Sequence, residues 1–215
     1  MFFKKMQNNT IKKRLDNILV CLGNKANTSS DIATLPFVDD LVIYFVEETN
    51  HGVFKTITIK DLEKLNLPPE KLLEIAKENF KKKIFSIYQV IPLQENTQDE
   101  VFIPFDADVI VEKGMYNFWN SLVLFDEFMS KESPHSLVKK WNKCYLAMPY
   151  RTLLIIGNAE SEHAQAEILR LVNDYKSTDK KELLASGDFE AANRSISNNI
   201  YLLQDGKLKT AIINN

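Results

Sequence analysis

The sequence predicts a mixed α/β (α+β) protein: a mixed sheet with hairpins, flanked by amphipathic helices around one buried apolar helix. Three observations carry this. Two β-rich runs stand either side of a polar turn at Thr49 to Gly52 in "LVIYFVEETNHGVFKTITI", and two more flank Asp205–Gly206 in "YLLQDGKLK", a two-residue hairpin signal. Leu72, Leu73, Ala76 and Phe80, and later Ala164, Ile168, Leu171, Val172 and Tyr175, recur at helical spacing. Finally, "NFWNSLVLFDEFM" is apolar almost all round, the pattern of a helix deep in a core.

Taken in chain order, Ile11, Leu15, Ile18, Leu19 and Leu22, with Gly23 as a stop, predict an N-terminal amphipathic helix within residues 1–25. Residues 26–215 read as a single α/β domain; if it has two lobes, they divide near 93–100. Thr58 is placed to cap a short helix, with Asp61 as the capping-box acid. That helix ends near Asn66, because Leu67 precedes Pro68 and Pro69, and Pro69 suits the first turn of the next helix. "IFSIYQVIPL" predicts a strand, and "VFIPFDADVIV" another strand or two with Pro104 interrupting the ladder. "CYLAMP" and "TLLIIG" predict two strands joined at Tyr150–Arg151. Lys176 to Asn198 is polar and weakly patterned, which predicts an exposed excursion.

Composition narrows the function classes. The chain has 215 residues, 45% of them hydrophobic and 26% charged, enough for a substantial core. A formal net charge of −2 argues against bulk nucleic-acid binding, which depends on neutralising phosphates. Cys21 and Cys144 are distant and form no CxxC, which suggests a reducing compartment. The start, "MFFKKMQNNTIKKRL", lacks the apolar run of a secretory signal, and "FWNSLVLF" is far shorter than the ~20 residues of a membrane helix. These features predict a cytoplasmic protein with neither membrane nor nucleic acid as partner. The opposing feature is "KKMQNNTIKKR", where Lys4, Lys5, Lys12, Lys13 and Arg14 could form a basic helix face.

From about Leu41 onward the chain resembles the YtpQ-like bacterial family. The resemblance rests on "LVIYFVEETNHGVFKTITIKDLEKLNLPPEKLLEIAKENF", on the apolar helix "NFWNSLVLFDEFM" with its internal Asp126, and on "LAMPYRTLLIIG" with Pro149 and Arg151. Thr152 stands where that pattern carries an acid, and "EKGMYN" lacks its glycine pair. The resemblance implies a fold and a bacterial cytoplasmic setting, and no substrate.

The sharpest chemical suspicion lies in "EVFIPFDADVIVEKG". Asp106 and Asp108 occupy alternate positions of a predicted strand, so both carboxylates would share one face and suit Mg²⁺ or Mn²⁺. A metal-dependent hydrolase using Asp106 and Asp108 is the alternative this supports. Glu112 and Lys113 do not complete it, because adjacent strand residues face opposite ways. His51 and His135 sit in polar connections, and Glu160-x-x-His163 lacks the second pair that a di-iron site needs. No P-loop, GxSxG or Cys–His pattern occurs, so no catalytic residue, metal or cofactor is predicted.

Charge segregation is the stronger signal. Residues 26–54 contain Asp31, Asp39, Asp40, Glu47 and Glu48, and residues 84–112 contain Glu95, Asp99, Glu100, Asp106, Asp108 and Glu112; neither block has a Lys or Arg. Residues 1–25 hold six basic residues against Asp16, and residues 55–83 hold eight against five acids. If the acid-only blocks lie side by side, Asp39, Asp40, Asp106, Asp108 and Glu112 form a docking face for a basic protein. The expected function is a non-enzymatic protein-binding module, in concrete form an immunity-type inhibitor of a basic toxin.

Overall fold

Apolar runs that must be withdrawn from water decide the architecture. The computed structural model describes residues 11–50, 53–88, 101–102, 119–133, 136, 138, 141–149, 154–177 and 196–211. Residues 11–15 are helical, and a turn at Asp16–Asn17 leads into strand β1, Ile18–Asn24. After a 3₁₀ turn come β2 (Thr34–Pro36), β3 (Leu41–Asn50) and β4 (Val53–Thr56). Two helices follow, α1 (Ile59–Leu65) and α2 (Pro69–Tyr88), then the short strand β5 (Val101–Phe102). A 3₁₀ helix over Trp119–Leu124 precedes α3 (Asp126–Met129). Next are β6 (Lys143–Ala147), β7 (Ile155–Asn158), α4 (Glu162–Ser177), β8 (Ile200–Gln204) and β9 (Lys207–Thr210).

The class is α+β, but the strands form two antiparallel sheets rather than one mixed sheet. In the first, β3 pairs with β1 along one edge and with β2 and β4 along the other; the second has the order β5-β7-β6-β8-β9. Among the described residues every sheet connection is compatible with antiparallel pairing, which hairpins supply without crossover helices.

Three predicted elements differ. The N-terminal helix ends by residue 15, and Ile18–Asn24 is a strand whose first six residues are buried. A strand covered on both faces shows no polar alternation, so its apolar residues fall on helical spacing by coincidence. Its outer edge is finished by side chains: Asn79 Nδ2 donates to the carbonyls of Leu15 (2.7 Å) and Ile18 (2.9 Å), and Leu22 N–H donates to Ser121 Oγ (3.2 Å). The predicted strand beginning at Ile84 is helical through Tyr88, where it continues α2. The apolar core helix is two pieces, interrupted at Phe125, which is extended (φ −121°, ψ 122°). Its buried character holds: Leu122, Phe125, Phe128 and Met129 are all in the core.

Several local signals act as read. Thr58 Oγ1 accepts from Asp61 N–H (3.2 Å) while Asp61 Oδ2 accepts from Thr58 N–H (3.3 Å), a complete capping box. Asn66 ends α1 in the left-handed region at φ 53°. Asp205 (φ 52°) and Gly206 (φ 70°) both have the positive φ that a type I′ hairpin turn requires. Among the described residues no helix is long and apolar enough to cross a membrane.

Alternation positions the second sheet. Cys144, Leu146, Ile156, Tyr201 and Leu203 face the main core, which also holds β1, β3 and α2. Ala147, Ile155 and Ile200 face the other way, against Ala164, Ile168 and Val172 of α4. Gly157 lets α4 approach: a Cβ there would lie 2.5 Å from Ile168 Cδ1 and 3.5 Å from Ala164 Cβ. Gly157→Val is therefore expected to lower stability by about 1–3 kcal/mol through overpacking, read as an earlier urea midpoint. Ile168→Val, which removes Cδ1, should recover part of that loss in the double variant. Additive losses would show that this contact does not set the helix–sheet spacing.

Candidate functional site

Of the acids expected to dock, Asp39 and Asp40 are among the described residues and Asp106, Asp108 and Glu112 are not. Asp39 and Asp40 sit in the turn that returns β2 into β3, closed by Leu41 N–H to Val38 O (2.8 Å) and Phe37 N–H to Leu41 O (3.2 Å). Asp39 has φ 47°, a conformation Asp tolerates better than most residues. Its Oδ2 accepts from Thr210 N–H (3.2 Å) and from the Thr210 hydroxyl, on the last strand of the other sheet. Although exposed, it is already engaged.

Asp40 is half-buried and more deeply committed. Its Oδ2 accepts from Asn24 Nδ2 (3.0 Å) and Ser197 Oγ (2.7 Å), and its Oδ1 from the Tyr201 hydroxyl (2.5 Å). Ser197 Oγ also accepts from Asn199 N–H (3.0 Å) and lies 2.7 Å from the Tyr201 oxygen. Each hydroxyl has one hydrogen. Ser197 and Tyr201 can both donate to Asp40, so the carboxylate is the shared acceptor of a part-buried triangle. Burial and the neighbouring carboxylate push the Tyr201 phenol up, against the lowering pull of Ser197, which keeps it protonated and donating. The arrangement fastens the first sheet to β8 and suits structure rather than proton transfer.

Asp40→Ala leaves the fully buried Tyr201 hydroxyl and Ser197 short of their acceptor. The expected cost is about 1–3 kcal/mol, measured by urea unfolding, with Asp40→Asn losing less because one acceptor oxygen remains. An unchanged midpoint for Asp40→Ala would remove the triangle from the contacts that hold the sheets.

The remaining acids of block 26–54 are also met from within the chain. Arg14 grips Glu47 through Nη2–Oε2 (2.7 Å) and Nε–Oε2 (3.0 Å), and its Nη2 is 3.6 Å from Asp61 Oδ1. Lys83 pairs with Glu48, and Asp31 Oδ1 accepts from Ser29 Oγ at 2.5 Å. Asp61 is buried, which raises its pKa. Its bonds to Thr58 and the charges of Lys55 and Arg14 outweigh that and hold the carboxyl below its ordinary value. The basic blocks of the sequence thus fold back onto the first acidic block. Partly exposed pairs such as these contribute only about 0–1 kcal/mol each, but they occupy the charges.

Asp106, Asp108 and Glu112 lie outside the described residues, as do Glu95, Asp99 and Glu100. The described part of that block is helical through Tyr88 and then resumes at β5, which pairs with β7 and, among the described residues, stands at the end of the second sheet. His51, His135, Arg151 and Thr152 are likewise outside the described residues. His163 is exposed in the first turn of α4, and among the described residues no three His, Cys, Asp or Glu side chains are grouped to hold a metal. Asp126 begins α3 at the surface, while the adjoining Glu127 pairs with Lys81 (2.5 Å). Both cysteines are buried and neither forms a disulfide; burial pushes the Cys144 thiol up to about 12, the opposite of an activated nucleophile.

Comparison with family models, curated proteins and solved structures gave no match.

Proposed function

We propose that the chain is a non-enzymatic protein-binding module of a bacterial cytoplasm that engages a basic partner protein through the acid-only segment 84–112. Its most concrete form is an immunity-type inhibitor that caps a basic toxin, such as a nuclease. The observation that supports the reading is that the acids of block 26–54 are engaged from within the chain, while the sequence concentrates a second set of acids in 84–112. Asp39, Asp40, Glu47 and Glu48 have intramolecular partners. Segment 84–112 has six acids and no Lys or Arg of its own. Among the described residues its strand β5 stands at the end of the second sheet. We place the docking on Asp106, Asp108 and Glu112 by their charge in the sequence, because Asp39 and Asp40 already have intramolecular partners. The bacterial cytoplasmic setting is what the YtpQ-like resemblance implies.

The test is capture from the source cell followed by an activity assay on the captured protein. A basic protein inhibited at stoichiometric addition supports the reading; an acidic partner, or a basic one whose activity is untouched, overturns the inhibitor form. Calorimetric titration with Mg²⁺, Mn²⁺ and Zn²⁺ separates the alternative. No site at Asp106 and Asp108 is expected, and a tight site abolished by Asp108→Asn would favour the metal-dependent hydrolase instead.

A further inference from the structure

We draw no further inference here: the strongest candidate, the shallow groove of about 560 Å³ between residues 30–34 and the 59–69 helix and turn, with half-exposed Ile59 at its rim, is an unpartnered surface and nothing in the structure shows what covers it.

Discussion

Phe125→Ala is expected to remove about 3–5 kcal/mol of folding stability, the range for truncating a buried aromatic ring. The ring is 1% exposed and stacks on Phe80 with centroids 5.0 Å apart and planes 18° from parallel. It meets Phe128 edge-on at 6.4 Å, and Lys77 Nζ lies 5.1 Å from its centroid. Each aromatic contact adds roughly 0.5–1.5 kcal/mol beyond the area it buries. The cavity left behind would adjoin Phe80 of α2, a helix that itself packs on β1, so relaxation into the space is constrained from both sides. Phe125 has extended backbone between two helical pieces, and alanine therefore gains no helix propensity in compensation. Since small domains are stable by only about 5–15 kcal/mol, the loss should appear as a large shift of the urea midpoint. Phe125→Leu, which keeps most of the volume, should lose clearly less. A loss below about 1 kcal/mol for the alanine variant would contradict the close packing of this region.

How much could be read in advance depended on the range of the physical cause. Signals that act within four residues were legible: the Thr58–Asp61 capping box, the stop at Asn66, Pro69 in the first turn of α2, and the Asp205–Gly206 hairpin all follow from local backbone chemistry. Ile18–Asn24 was misread because a fully covered strand and a helix side can present the same apolar spacing; only the tertiary cover supplied by α2 and residues 119–124 decides between them. Ile84–Tyr88 shows the converse, β-branched and aromatic residues in helical backbone at the end of α2. The site was less legible than the fold. Asp40 meets Ser197 and Tyr201, 157 and 161 positions away, and Arg14 meets Glu47 from 33 positions away. Charge runs along a chain do not record which opposite charges fold onto them, so the internal partners of block 26–54 were not legible in the sequence.

The charge-reversal variant Asp106→Lys/Asp108→Lys is expected to slow association with the basic partner by at least tenfold at low salt, within the 10–10³-fold range of electrostatic steering. The expectation rests on segment 84–112, whose six acids have no basic neighbour in the same stretch. Steering acts through a long-range field, so association of the wild-type chain should itself slow as salt rises and the Debye length falls below ~10 Å. At high salt the wild type and the variant should therefore converge. A matched reversal at Asp39 provides the internal contrast. Asp39 is engaged with Thr210, and its loss should act on stability and the sheet contact before it acts on encounter. Stopped-flow or surface kinetics with the captured partner, at two ionic strengths, reads both arms. Equal low-salt association rates for wild type and the Asp106/Asp108 reversal would end the steering proposal and return these acids to the role of solvated side chains. A larger effect at Asp39 than at Asp106 and Asp108, with the fold intact, would instead move the docking face to the turn between β2 and β3.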